Sequence, residues 1–458
     1  MGSIFPAKDR LKPEDCLTYI NTLDQDGKPK KVITGVDVPK TTDMVMQSID
    51  VVYVVDNRVT YIYLYECGGF SPDAGGLLIP KHLYSWFRQY YTGKGKPVMN
   101  KNTVSEIVAR INSERAKNIT VFQQSEPLFN IANGVLNLET GKLLEHSPQY
   151  MMLEQSPVIY DPDAECPKFD DYLDKYLDSQ YHNVLQEMFG YSMWPRYDVQ
   201  RAFVLWGPPR TGKGTFLRIL QEMLGKDNYS SVNLRDLIED RFKRAELFGK
   251  RANISGDLTR TPIKDPQIFQ NLVGGDEVTV EFKFGRPFQM TNTAKLIFGT
   301  NNLPRLNLDD DAFYTRMAII PVENTFLGKE DPSIEAAMKT PEELSGILNW
   351  SLEGLKRLRK NGWKLSHHIK GEEKYAEISK PEYKFLEEMC ESSTDGYITK
   401  SELVTAYNRW AKEHKLPPAT SKIAFGKIII DQMVIPVESG DRGTAGNQAQ
   451  AWIGIRLK

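Results

Sequence analysis

Apolar and polar positions change period several times along this chain, and each change predicts a change of element. Residues 1 to about 50 are polar and broken by Asp-Gly, Lys-Pro and Val-Pro turn signals, with no sustained period. VVYVVDNRVTYIYLY (51–65) is dense in β-branched and aromatic residues on both sides of Asp56-Asn57, which predicts two strands. HLYSWFRQYY (82–91) and TVSEIVARINSERA (103–116) carry helical spacing, and Thr103 with Glu106 forms a capping-box signal for the second. LFNIANGVLNLETGKLL (128–144) predicts a hairpin that turns at Asn133-Gly134. Helical periodicity returns over 168–195 and again from 333 to about 360.

Between Arg201 and Val322 the rhythm is that of an α/β domain with a mainly parallel sheet. Short apolar strands AFVLW (202–206), ANIS (252–255), KLIFG (295–299) and MAIIPV (317–322) alternate with helical segments. After GEEKYAEISKPEY (371–383), helices are expected near 382–391, 400–414 and 421–433, the second capped by Thr399 and Glu402. Two strands around a Gly-rich loop bearing Arg442 follow, an order that looks like a winged helix.

Composition narrows the class. At roughly 100–200 residues per domain, 458 residues predict about three domains. Hydrophobic residues are 40% and charged residues 26%, which excludes wholesale disorder. The net charge of -2 excludes a nonspecific polycation, so any nucleic acid must meet local basic elements. Cys16, Cys67, Cys166 and Cys390 are far apart, which disfavours a zinc ribbon or a disulfide framework. His367-His368 lies in a polar stretch and reads as surface. No run approaches the roughly 18 apolar residues of a membrane span, the N-terminus has no apolar signal core, and Pro6 breaks the myristoylation pattern. The expected compartment is a reducing cytoplasm, in a bacterial or archaeal host or at a site of viral replication, with no membrane partner.

The sharpest chemistry is Gly207-Pro208-Pro209-Arg210-Thr211-Gly212-Lys213-Gly214-Thr215, placed between a strand and the helical segment FLRILQEML. A phosphate-binding loop needs that context. Glycines let backbone N–H groups turn inward, the helix N-terminus contributes its positive end, and Lys213 meets β- and γ-phosphate charge. Gly214 stands where such loops usually carry the Mg2+-binding hydroxyl, and Thr215 is displaced by one. Thr92-Gly93-Lys94-Gly95-Lys96 looks similar but has no strand before it and Pro97 after it, so a solvated loop is expected. ATP hydrolysis needs more: an acid for Mg2+ or water, a polar sensor and an arginine. Asp257 follows strand 252–255, Asn301 follows strand 295–299, and Arg316 precedes strand 317–322. Each alone would pass for a turn residue or surface charge; their order after the loop carries the functional reading.

These segments together resemble the superfamily 3 helicases, in the phage, plasmid and poxvirus primase-helicase branch. The resemblance rests on GPPRTGKGTFL (207–217), KRANISGDL (250–258), LVGGDEVTVEFKFGRPF (272–288), AKLIFGTNNLP (294–304) and AFYTRMAIIPV (312–322). FNIANGVLNLETGKLLEHSP (129–148) and LQEMFGYSMW (185–194) look like the domain preceding the ATPase in that branch. It implies an AAA+ P-loop ATPase core within a multidomain α/β chain that has an α+β N-terminal domain and a C-terminal winged helix. The boundaries expected are 1–125, 126–196 for a pre-ATPase hairpin and helical collar, 197–370 for the core, and 371–458. It implies Lys213 as Walker A lysine, Asp257 as Walker B acid with Thr215 beside it at the metal, Asn301 as sensor and Arg316 as an arginine finger acting on a neighbour's ATP. Many relatives have paired acids where this chain has Gly256-Asp257.

The segment VGGDEVTVEFKFGRPFQMTNTAKL predicts a β-hairpin with Lys283, Phe284 and Arg286 near its tip. Cations meet phosphates and an aromatic stacks on a base, so single-stranded or forked DNA is the expected partner. In related ring helicases such a hairpin projects into the central channel; an ordinary solvent-exposed hairpin is the plain alternative. In the C-terminal unit, Lys422, Lys427 and Arg442 would face duplex DNA, or the unit would dock a protein. A finger acting in trans requires a closed homo-oligomer, expected to be a hexamer. The expected function is therefore an ATP- and Mg2+-dependent DNA helicase of a virus, phage, plasmid or other mobile element. A nucleotide kinase of the GKGT type and an ATP-switched origin-binding or loading module are the alternatives. Asp37, Asp50 and Asp56 form no Asp-x-Asp pair for two-metal polymerisation, so residues 1–125 are expected to be a structural or partner-docking domain, with any primase or initiator on a separate chain.

Overall fold

A computed structural model describes residues 11–123, 126–256, 258, 266–283, 285–301, 311–324, 332–371, 381–414, 418–419, 438–442 and 449–458. It is a mixed α/β chain with several separate sheets. Two compact units are formed, Met1–Thr259 with Asp265–Asn302 and Ile320–His368, and Arg260–Lys264 with Leu303–Ile319 and Ile369–Lys458.

The first unit begins with an antiparallel hairpin, Leu17–Leu23 against Pro29–Val36, inside the polar stretch where the sequence shows no period. Its residues are largely exposed, so no apolar alternation marks it. A four-stranded sheet follows in the order Gly69–Asp73, Val59–Leu64, Val51–Val54, Ala116–Lys117, antiparallel except for the last pair. One face packs Val51 and Ile62 against Met44, Val45, Leu83, Ile107 and Ile111 from three helices. The other packs Val52, Val54, Tyr61, Tyr63 and Phe70 against Phe122, with Phe248, Phe282 and Phe288 at its margin. Strand alternation thus serves two cores, one aliphatic and one aromatic.

Two helix ends differ from expectation. The second helix spans Lys101–Glu114, and Asn100, not Thr103, caps it by accepting from the N–H groups of Asn102 and Thr103. Asn100 holds an extended backbone and its short side chain reaches the open N–H groups, which leaves Thr103 inside the first turn. The helix expected over 82–91 spans Leu78–Trp86 and starts earlier because the Asp73 carboxylate accepts from the N–H groups of Leu77 and Leu78. The 128–144 segment forms Leu128–Ile131 and Gly134–Asn137 and adds a third strand, Leu143–Leu144.

Within the first unit, four parallel strands run in the order Tyr229–Ser230, Ala252–Ser255, Lys295–Thr300, Ala202–Trp206. The helix Lys213–Leu224 buries Phe216, Leu217, Ile219, Leu220, Met223 and Leu224, and Leu217 comes so close that a Cβ at Gly299 would lie 2.9 Å from it. His182–Ser192 and the long helix Pro341–Lys360 cross at two glycines: a Cβ on Gly190 would lie 2.2 Å from the Ser351 carbonyl, and one on Gly354 would lie 2.4 Å from that of Gln186. Exposed pairs such as Arg235–Glu239 and Lys243–Glu246 are screened by solvent and contribute little, so apolar burial around the parallel strands positions the site.

In the second unit, Ala318 and Ile319 pair antiparallel with Lys370 and Ile369. Helix Pro381–Met389, strand Cys390–Thr399 and helix Lys400–Glu413 lead to strands Glu438–Arg442 and Ala449–Leu457. The sheet order is 390–399, 449–457, 438–442, all antiparallel, around Phe385, Leu403, Tyr407, Trp410, Trp452 and Ile455. The strand 390–399 was not legible as one, because ESSTDG interrupts its alternation with a bulge. The reciprocal Thr399–Glu402 capping box is present. The expected helix 421–433, with Lys422 and Lys427, and the loop after Arg442 lie outside the described residues. Among the described residues no helix is long and apolar enough to cross a membrane.

Candidate functional site

The site is built where the buried strand Ala202–Trp206 ends. Gly207 donates its N–H to the Thr300 carbonyl at 3.3 Å, and a Cβ there would stand 2.1 Å from the Val322 carbonyl, so only glycine fits this crossing. Arg210 (φ 62) and Gly212 (φ 91) turn the chain through left-handed backbone into the helix that begins at Lys213. The Thr211 hydroxyl donates to the Pro208 carbonyl at 3.0 Å and closes the loop. Pro208 and Pro209 restrict the ascending limb of the loop.

Lys213 is 9% exposed, and its ammonium is folded back into this loop. It donates to the carbonyls of Gly207 (2.8 Å) and Pro208 (2.6 Å) and to the Thr211 hydroxyl (3.3 Å). Among the described residues all these partners are neutral, and burial lowers its pKa from the ordinary lysine value. A cation held by neutral acceptors at a helix N-terminus is arranged for an anion that exchanges with those acceptors. The residues present fit a nucleotide's phosphate chain.

They fit a hydroxyl-bound metal poorly. Gly214 has no hydroxyl, and the Thr215 hydroxyl accepts from Arg218 Nη2 at 3.2 Å. A guanidinium at that distance opposes a dication on the same oxygen, so the expected role of Thr215 at Mg2+ meets a physical objection. Among the described residues no group of three or more His, Cys, Asp or Glu could hold a metal ion. Asp257 lies outside the described residues.

The parallel register brings strand ends together. Trp206 pairs with Thr300 and Ser255 with Phe298, so Gly207, Gly256 and Asn301 leave the sheet at one edge. That edge, the carboxyl end of the strands, is where open α/β sheets take ligands. Asn301 is exposed there.

Arg316 belongs to the second unit; its backbone N–H donates to Phe313, while its Nε is buried without a hydrogen-bond partner among the described residues. Lys283 and Arg286 are exposed in the turn between strands Glu277–Val280 and Phe288–Thr291, and Phe284 lies outside the described residues. Arg442 is exposed at a strand end and donates to its neighbour's carbonyl, Asp441, at 3.4 Å. Thr92–Lys96 is a turn closed by Thr92 N–H to Lys96 carbonyl, with Gly93, Lys94, Gly95 and Lys96 exposed.

Sequence reasoning missed Arg218 and Glu335. Arg218 Nε and Nη2 donate to the two oxygens of Glu335 at 2.8 and 2.6 Å, and Lys339 adds a bond of 2.9 Å to the same carboxylate. Arg218, then Lys339, holds the Glu335 carboxyl down at about 2. The available signal was the four-residue spacing from Gly214 to Arg218 on one helix face.

Residues 205–316 match a family of unknown function, DUF5906, and residues 81–178 match the D5 N terminal like family. A protein of Acanthamoeba polyphaga mimivirus named "Putative helicase L207/L206" is 22% identical over 284 residues, which is 56% of this chain and 29% of that protein. The chain thus spans less than a third of that curated relative. Among solved structures, the A form apo structure of the NrS-1 C-terminal region covers 90% of this chain and 97% of its own at 13% identity and a TM-score of 0.39. A second A form structure of that region gives the same coverage and identity with a TM-score of 0.42.

Proposed function

We propose that this chain is a nucleotide-driven DNA helicase of a viral or other mobile-element replication system. The observation that carries the reading is the Lys213 ammonium, held by neutral acceptors where a strand passes through a glycine-bearing loop into a helix N-terminus. The D5 N terminal like match and the helicase-named mimivirus relative support the same reading. In it the core is an AAA+ P-loop ATPase of the superfamily 3 kind.

ATP would be held by the Gly207–Thr215 loop, with Lys213 exchanging two carbonyls for phosphate oxygens. Asn301 stands at the adjacent strand end to hydrogen-bond the reacting water or the terminal phosphate, and Asp257 is the acid of the site. Mg2+, when bound with ATP, neutralises phosphate charge. Arg316 meets transition-state charge on a neighbour's nucleotide, which makes a closed ring, most simply a hexamer, the working form. Lys283, Phe284 and Arg286 contact single-stranded DNA. The helix–strand–helix order of the C-terminal unit, and the place of strand 449–457 between its two partners, support a winged helix. That module would use Arg442, Lys422 and Lys427 on duplex DNA, or else dock a protein such as a primase or initiator.

The deciding experiment is strand displacement on a forked duplex, run beside ATP turnover. Wild-type protein is expected to unwind, and Lys213→Ala to lose turnover by about 10²-fold or more. DNA-stimulated turnover without displacement would favour the switch module, and phosphate transfer to a nucleoside monophosphate would favour a kinase.

A further inference from the structure

We propose that Arg218 is a phosphate-binding cation of this site, standing where such loops usually carry the metal-liganding hydroxyl, so that ATP is gripped largely without metal. The inference deepens the nucleotide-site reading above and rests on it.

Position 214 is where a Ser or Thr hydroxyl would reach Mg2+. Here it is glycine, and a Cβ placed on it would stand 2.8 Å from Arg218 Nη1. The guanidinium therefore fills the space that side chain would occupy. Helical geometry explains how: Arg218 lies four residues on, and helical side chains lean toward the N-terminus, which carries this one to the first turn beside the loop. Its Nη2 donates to Thr215, so the next hydroxyl along the chain is also bonded to the cation.

The present partner of Arg218 shows what it can hold. Glu335 receives two parallel N–H bonds from it, the fork geometry that guanidinium also offers to phosphate. Glu335 is shared with Lys339, which also bonds Glu222 at 3.2 Å. If Arg218 turns to a phosphate, Glu335 keeps Lys339, and no carboxylate is stranded. Arg218 is half-exposed, so this turn needs no repacking of the core.

The test measures ATP affinity by calorimetry in Mg2+ and in EDTA for wild type, Arg218→Met, Glu335→Gln, Gly214→Ser and Lys213→Ala, with thermal unfolding of each. Wild type is expected to lose no more than about tenfold in affinity in EDTA. Arg218→Met should weaken metal-free binding by about 10–100-fold, the scale of one charge-assisted bond. Glu335→Gln, which releases the guanidinium, should tighten it. Gly214→Ser, which displaces the guanidinium, should weaken metal-free binding more than Mg2+-bound binding, and it serves equally if Arg218→Met does not fold. The proposal is overturned if Arg218→Met or Gly214→Ser binds metal-free ATP like wild type. It is also overturned if Glu335→Gln weakens binding in step with a loss of stability, which would make the pair a structural tie. Unchanged affinity of Lys213→Ala in both conditions would instead overturn the nucleotide site itself.

Discussion

Lys213, Arg251 and Lys295 are buried cations in the first unit that donate to backbone carbonyls, Lys213 also to the Thr211 hydroxyl. Arg251 bonds Met193 and Leu128 and lies over Phe129; Lys295 bonds Trp194 and Thr293 beneath the Tyr191 and Tyr197 rings. Burial drives Lys295 well below the usual lysine range and Arg251 down to about 10. Those two are enclosed and tie segments together, whereas Lys213 opens at the ligand edge of the sheet. Glu154 is the converse case. It lines a cavity of about 30 Å³, sized for ordered water and far below a nucleotide, with Lys250 at 3.7 Å. Burial raises its carboxyl to about 7 against the weaker pull of Lys250. The folded chain therefore holds this proton longer than the unfolded chain does. Stability contributed here is present at low pH and is lost as pH rises through the carboxylate range to about 7. Glu154→Gln is expected to flatten that fall, so that thermal unfolding at pH 8 shifts upward relative to wild type while pH 5 values match. Equal shifts at both pH values would refute the assignment.

At the scale of elements, the hairpin 277–291 is divided between anchoring and exposure. Val278 and Val280 are buried, Phe282 stacks on Phe288 at 5.2 Å, and Phe248 meets Phe288 edge-on. The turn itself is tethered: Arg286 N–H donates to the Asp56 carbonyl, at the turn between two strands of the N-terminal sheet. Aromatic packing fixes the hairpin while the Lys283 and Arg286 side chains stay in solvent. Lys283→Ala is therefore expected to fold normally and keep basal turnover while losing unwinding. The salt dependence of single-strand binding should drop by about 0.7 in log–log slope, the value of one phosphate contact. A matching loss of basal turnover would make Lys283 structural.

For the whole molecule, Arg316 and Lys213 belong to different compact units, and Arg316 keeps a buried Nε without a partner among the described residues. A finger used in trans predicts complementation. Arg316→Ala and Lys213→Ala are each expected to be inactive alone, and mixed assemblies should recover turnover because one interface in such a ring joins two intact halves. A mixture as inactive as its components would exclude a finger supplied by a neighbour. Net charge of -2 gives no global pull on DNA, so binding should follow these local elements.

Local chemistry determined much of this protein. The strands 202–206, 252–255 and 295–300, the loop after the first of them, and the Thr399 cap are legible because each depends on neighbours within a few residues. The hairpin 17–36 and strand 390–399 were not, since polar exposed faces or a bulge erase the two-residue period on which reading depends. Nor were the Asn100 cap and the Asp73 carboxylate at the start of helix Leu78–Trp86, since backbone geometry ahead of the first turn decides which side chain reaches the open N–H groups. Helix spacing brings Arg218 beside Gly214, but tertiary structure alone decided that Glu335, more than a hundred residues away in sequence, closes on it. A charge has no period and its reach is set in space, so its partner becomes visible only when the chain has folded around it.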